Sequence, residues 1–434
     1  MKNLVLLVLL FVFHTLVAQE KKDFANPKSL FSELLTKNNL KENTALQINL
    51  AEVMKKSAII SAFNPRIPST YQTINNLNQQ VSFLPGQAFG LPAGMYKEVT
   101  IGQQYVSTFS IQPQFDILNL GNLSQIKTAS LSKELALNQQ KIAIQNLLEI
   151  VNGIYFNILT LNAQQELLKA NLEIAAKLVT VVSVKFNEGL VRKQDVNDAE
   201  INVINIQDKI EQAEVNLKIQ YTLLSTLFEG KVVPTLTQSI WDFEKSISAN
   251  EVKNQLSVEN ARLNFLMTKQ EMKSIYLQHL PVVSFISSYN WQNLSNDRAY
   301  GTNSNNIKFN YIGLKVSYDF PTTIQKETLK GTKLIQLKLA QLNYDHSIIE
   351  NKNQNEQLVL EVEKWSKQVA NLQHISSLKQ ENFQKYSNQY QENILPIEKL
   401  LTAQNEYITS QMNVLSAIAS LGFTKTKIEI FNEY

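Results

Sequence analysis

The stretch Phe186-Asn-Glu-Gly-Leu-Val-Arg-Lys-Gln-Asp-Val-Asn-Asp-Ala-Glu200 decides how this chain folds. Before it, from Leu123 onward, apolar residues recur every three or four positions, among them Ile126, Leu135, Ile142, Leu147, Ile150, Ile154, Ile158 and Leu161. That run contains no proline and a single glycine, Gly153. Some 60 residues at about 1.5 Å each make a rod of roughly 90 Å, which calls for coiled-coil-like packing. After the stretch the pattern resumes through Val196, Ala199, Val203, Ile206, Ile210, Ala213, Leu217 and Leu224, and it stops near Glu229-Gly230, with Pro234 just beyond. Two periodic arms around a polar tip at Gly189 predict an antiparallel helical hairpin over about 123–228.

The arrangement occurs twice. A second rod runs from about Ile324 to Tyr390, turns, and resumes through Ile397, Leu401, Ile408, Leu415 and Leu421, a hairpin over about 324–430. Advancing the numbering by 204 lays Phe186-Asn-Glu-Gly-Leu on Tyr390-Gln-Glu-Asn-Ile, Asp195-Val196 on Lys399-Leu400, and Ala199-Glu200 on Ala403-Gln404. The period is far too long for a solenoid, so the chain reads as two structural repeats, 19–230 and 231–434. In each, the rod is about twice as long as the arm that follows. Two helical segments remain, Leu30–Ile60 and Asn250–His279, each of the length needed to complete one short arm end to end.

Ahead of each rod lie stretches with period two. Over 104–117, Tyr105, Phe109, Ile111, Phe115 and Ile117 share one face, opposite Gln104, Thr108, Ser110, Gln112, Gln114 and Asp116. Over 281–291, Val283, Phe285, Tyr289 and Trp291 oppose Ser284, Ser288 and Asn290. Ile312, Leu314, Val316, Tyr318 and Phe320 form the apolar face of a third, over 307–320, and 70–83 is a weaker fourth. One such stretch alone reads as a half-buried soluble sheet. Two pairs in duplicated positions read as strands of a membrane barrel, with Phe109, Ile111, Phe285 and Tyr289 facing lipid and Tyr289, Trp291, Tyr300 and Tyr311 as an aromatic belt. Four strands cannot enclose a channel, so the barrel needs further copies of the chain.

Composition bounds the rest. Only 12 glycines and 10 prolines in 434 residues leave few turns, hence few and long elements. A net charge of +3, with both signs mixed along the chain, offers no basic face for nucleic acid. Met1-Lys2-Asn3, the apolar run Leu4–Phe13, and Ala18 before Gln19 predict a signal peptide over 1–18, followed by export. The absence of cysteine removes disulfides and an acylated N-terminal anchor. The four histidines are isolated, and no phosphate loop or nucleophile motif occurs, so neither an enzyme nor a resident metal or cofactor is expected.

Duplicated strand–strand–long-hairpin halves, the leader, and F-x-x-G-L followed by Asp195-Val196 resemble the TolC family of outer-membrane efflux proteins. The resemblance covers essentially the whole mature chain. It implies a mainly helical fold with a transmembrane β-barrel portion: a homotrimer whose protomers share one twelve-stranded barrel above an α-helical tunnel. It also implies a channel of a tripartite efflux pump or type I secretion system, partnered by a periplasmic adapter and an inner-membrane transporter and embedded in outer-membrane lipid. The docking tips then map to Glu188, Gly189 and Leu190 and to Glu392, Asn393 and Ile394. The gate maps to Asp195, hydrogen-bonded to Tyr390, with Lys399 and Thr402 where relatives carry acidic residues. Two other readings of the hairpins are a periplasmic adapter, which usually has one hairpin among glycine-containing β domains, and a surface coiled coil, which has no need of period-two stretches.

Overall fold

The computed structural model describes residues 20–243, 251–318, 320 and 323–434; the segment read as a signal peptide lies outside them. In order, the elements are β1 (Glu20–Phe24), α1 (Pro27–Lys37), α2 (Leu40–Phe63), β2 (Ser69–Asn75), β3 (Gln80–Pro85), β4 (Tyr96–Ile101), β5 (Tyr105–Ile111), β6 (Gln114–Leu118), α3 (Leu120–Asn187) and α4 (Lys193–Leu227). Then follow β7 (Val232–Leu236), α5 (Leu256–Gln278), β8 (Val282–Ser295), β9 (Asn305–Ser317), α6 (Thr323–Gln391) and α7 (Ile397–Glu433). The chain divides into two compact units. One holds the residues up to Gln47, Leu137–Asn260 and Asp345–Tyr434; the other holds Ile48–Ala136 and Ala261–Tyr344.

The first unit holds the tips of both helical hairpins, with α4, α7 and the tip-side parts of α3 and α6. Helix α3, of 68 residues, and α6, of 69, are each roughly 100 Å long. Isolated helices gain little from propensity alone, so their stability comes from the apolar seam between them. Leu168, Ala175, Ile206 and Ile408 make one buried layer of that seam, and Val182, Val196, Ala199, Tyr390, Ile397 and Leu400 make another. Duplicated positions do the same work: Val196 and Leu400 are both buried, as are Ala199 and Ala403. Paired amides lie between and beside these layers. Asn202 donates to Gln404 Oε1 at 3.0 Å, and Asn171 donates to Gln411 Oε1 at 3.0 Å. Amides buried among apolar residues are costly when unpaired, so these bonds fix the register of the two hairpins.

The short arms are completed end to end. Asn38 Nδ2 donates to Leu227 O at 2.7 Å, so α2 starts where α4 finishes. Asn432 accepts from Lys253 N–H at 2.8 Å and donates to Glu251 O, bringing the start of α5 to the end of α7. The first completing segment is broken, however. Asn38 is an extended C-cap and its side chain accepts from Leu40 N–H, which ends α1 and starts α2. Strands β1 and β7, absent from the sequence reading, pair in parallel beside this junction and bury Phe24 against Phe228, with ring centroids 5.8 Å apart.

The second unit carries the sheet. Strand β8 pairs antiparallel with β5 and β6 along one side and with β9 along the other, while β2 pairs with β5. The stretch 104–117 is therefore two strands in one lane, interrupted at Pro113, which has no N–H to give to the ladder. The stretch 70–83 is also two strands. Its first part, β2, belongs to this sheet, whereas β3 folds onto β4 as a separate hairpin. Among the described residues, the outer edges of β2 and β9 pair with no other strand.

Candidate functional site

Register decides which strand residues share a face. Phe109 lies opposite Trp291 and Ile111 opposite Tyr289, while Phe115 lies opposite Phe285. Side chains alternate along a strand, so Phe109, Ile111, Phe285 and Tyr289 stand on one face together. The aromatic pairs touch, with ring centroids 5.6 Å apart for Phe109–Trp291 and 5.1 Å for Phe115–Phe285. The opposite face carries Thr70, which hydrogen-bonds Ser110 at 2.7 Å, and Thr108, which accepts from Gln292 at 3.2 Å. Ser284 donates to buried Asp116 on that face at 2.8 Å. Tyr311 departs from the expected belt. It pairs with Ser288 and so stands on the polar face, away from Tyr289 and Trp291.

At the other candidate site, the hairpin tips, both helices end in the same way. Gly189 N–H donates to Phe186 O and Leu190 N–H to Lys185 O, each at 2.9 Å. In the second hairpin Asn393 N–H donates to Tyr390 O at 3.2 Å and Ile394 N–H to Gln389 O at 2.9 Å. These are two Schellman turns, 204 residues apart. Each needs one left-handed residue, which Gly189 (φ +73°) and Asn393 (φ +59°) supply. A β-carbon on Gly189 would meet no atom within 4 Å, so only the backbone conformation selects glycine there. Leu190 (57% exposed) and Ile394 (67% exposed) project from the two turns beside exposed Glu188 and Glu392.

Of the gate candidates, Asp195 and Tyr390 come together but not as partners. Asp195 and Tyr390 line one cleft of about 260 Å³ with Leu190, Arg192, Asn393 and Pro396, but no hydrogen bond joins them. Asp195 Oδ2 instead accepts from Arg192 N–H at 2.8 Å, satisfying the open N-terminus of α4. The Tyr390 hydroxyl is buried without a partner among the described residues. Burial pushes its pKa up, and the nearby Asp195 carboxylate pushes it further the same way. The expected carboxylate–phenol bond is absent, and the carboxylate instead serves the first turn of its own helix. Lys399 and Thr402 are exposed on α7, and Thr402 donates to Glu398 O of its own helix at 2.7 Å.

What joins the tips is a residue that sequence reasoning missed. Lys185, only 8% exposed, reaches from α3 to the end of α6. Its Nζ donates to Tyr390 O at 2.5 Å, to Asn393 Oδ1 at 2.6 Å and to Gln391 O at 3.3 Å, and it lies 4.4 Å from the centroid of the Tyr390 ring. Burial lowers the ammonium's pKa, opposed by the Glu188 carboxylate. The signal available was an asymmetry between the repeats: the position 204 residues on is Gln389, uncharged and exposed.

Residues 61–228 match the model of the outer membrane efflux protein family. The chain has the fold of the outer-membrane efflux proteins. Over 93% of its length it superposes on 95% of the outer membrane protein VceC from Vibrio cholerae, with a TM-score of 0.72 at 13% identity. It superposes likewise on 89% of a membrane protein from Pseudomonas aeruginosa (TM-score 0.73, 10% identity) and on 88% of the open-state MtrE outer membrane channel of Neisseria gonorrhoeae (TM-score 0.69, 10% identity). No curated protein matches by sequence. The resemblance read from strand and hairpin order is thus borne out, and the outer-membrane efflux fold accounts for both the sheet and the paired hairpins. Among the described residues no helix is long and apolar enough to cross a membrane.

Proposed function

We propose that this chain is the outer-membrane exit duct of a tripartite efflux pump or type I secretion system, working as a homotrimer. Three copies of the four-lane sheet close a twelve-stranded barrel, with Phe109, Ile111, Phe285 and Tyr289 against lipid and Thr108, Ser110 and Ser284 toward water. The helical hairpins, one from each of the repeats 19–230 and 231–434, form the periplasmic tunnel. A periplasmic adapter docks on Glu188, Gly189 and Leu190 and on Glu392, Asn393 and Ile394, where Leu190 and Ile394 offer apolar contact. Asp195, Tyr390, Lys399 and Thr402 surround the gate. Transport through the duct is passive, driven by the inner-membrane transporter.

The observation that carries this reading is the sheet, apolar on one face and polar on the other along β5, β6 and β8, with outer edges at β2 and β9 that are unpaired among the described residues. In lipid every backbone N–H and C=O needs a partner, so open edges require neighbouring copies. The solved MtrE is itself an outer membrane channel in an open state. Detergent extraction of the outer-membrane fraction, followed by light scattering on a sizing column, should give a stable trimer. A monodisperse monomer, or recovery from soluble periplasm without detergent, overturns the reading.

A further inference from the structure

We infer that Lys185 is a one-way clamp that holds the second hairpin tip against the first and must let go when the tips part. The inference rests on the channel reading for its consequence, but its geometry stands on its own. A helix ends with carbonyls that have no intrahelical donor, and these carry the negative end of its dipole. At the end of α6 two of them, on Tyr390 and Gln391, point at Lys185 Nζ, and Asn393 Oδ1 takes the remaining donor. An ammonium has three donors, so Lys185 is saturated. The Tyr390 ring closes the site from one side.

Among the described residues no equivalent bond runs the other way. The corresponding residue of the second repeat, Gln389, is exposed, so the end of α3 receives no cation from α6. The two tips share their turn type and left-handed residue yet differ in this one contact. Lys185 therefore acts as a positioning residue for the loop Gln391–Ile394. Separating the tips breaks every bond to Nζ at once, because all its acceptors sit on the same short segment.

The absence of cysteine from the chain makes a charge-specific test possible. In the purified full-length protein, Lys185→Cys is alkylated either with 2-bromoethylamine, which rebuilds a lysine-length ammonium, or with iodoacetamide, which adds a neutral group. Complete conversion is verified by intact mass. Amide exchange is then read over Gln391–Ile394, whose N–H groups are hydrogen-bonded within the turn, and conductance is read in planar bilayers. Lys185→Cys, its carbamidomethyl form and Lys185→Met should exchange at least about tenfold faster than native there, as expected for losing charged hydrogen bonds, and should conduct more. The aminoethylated form should return to native behaviour on both readouts. Equal behaviour of the two alkylated forms, or exchange in Lys185→Met within about twofold of native, overturns the clamp. Native protein that never conducts while the exchange pattern holds would instead remove the channel reading and leave the clamp in place.

Discussion

Replacing Tyr390 by Phe and Asp195 by Ala, singly and together, measures whether these two residues act on each other. The Tyr390 side chain is 4% exposed and its hydroxyl is unpartnered, so it bears a desolvation cost of about 1–3 kcal/mol without return. Tyr390→Phe keeps the ring over Lys185 and removes that cost; the tip should be unchanged or more stable by up to roughly 1 kcal/mol. Asp195→Ala removes the acceptor for Arg192 N–H and a carboxylate in the first turn of α4, a loss of about 1 kcal/mol. Because the two effects use different partners, the double mutant should equal their sum within about 0.5 kcal/mol. Opening free energies from native-state amide exchange across residues 183–198 and 386–400 give the four corners of the cycle. A coupling of about 1.5 kcal/mol or more, the size of a charged hydrogen bond, would refute this account and restore Asp195 as the partner of Tyr390.

Three further outcomes follow from the proposed assembly. A lysine at Ile111 or Phe285 near mid-bilayer should cost about 2–4 kcal/mol of barrel stability, and one at Ser110 or Ser284 much less, measured by urea unfolding in lipid vesicles; equal costs would mean the faces are assigned backwards. Gly189→Ala should weaken the first turn by about 1–2 kcal/mol through its left-handed φ alone, whereas Asn393→Gly should keep the turn conformation but cost about 1.5–3 kcal/mol by removing an acceptor from the Lys185 ammonium, both read by exchange at the tips and by adapter binding. Lys399→Asp should move the reversal potential of the reconstituted channel toward cation selectivity, and an unmoved potential would take Lys399 out of the conduction path.

The features that repeat were the ones legible in sequence. Period-two runs, long helical runs and their return after 204 residues each involve many side chains, so the fold class and the shared face of Phe109, Ile111, Phe285 and Tyr289 emerged from pattern alone. Features resting on one residue did not. Pro113 splits a strand without disturbing its alternation, since β5 and β6 both stay paired with β8. Tyr96–Ile101 gave no strand signal because nothing local marks β3 and β4 as a hairpin apart from the main sheet. Tyr311 was put on the wrong face because face depends on pairing with Ser288, a fact of register. Asp195 and Tyr390 were joined by resemblance, and the structure gave the carboxylate to its own helix. A lysine on a long polar helix ordinarily reads as solvated; only the approach of α6 reveals that Lys185 is enclosed.

The free edge of β9 bears on how such a duct comes into being. Over Asn305–Ser317 its outer side is a long ribbon with no strand partner among the described residues, and Ile312, Leu314 and Val316 are among the most exposed apolar residues described. In water such a ribbon is an invitation to indiscriminate pairing, and in oil it is a row of unsatisfied groups. A lone copy of the chain therefore has no comfortable solvent for its sheet. In the proposed trimer, partners would be found before or during entry into the bilayer, and biogenesis would be a meeting of three chains rather than the insertion of one. Its rate should rise steeply with the amount exported, and any chain that meets no partner becomes a substrate for chaperones and proteases.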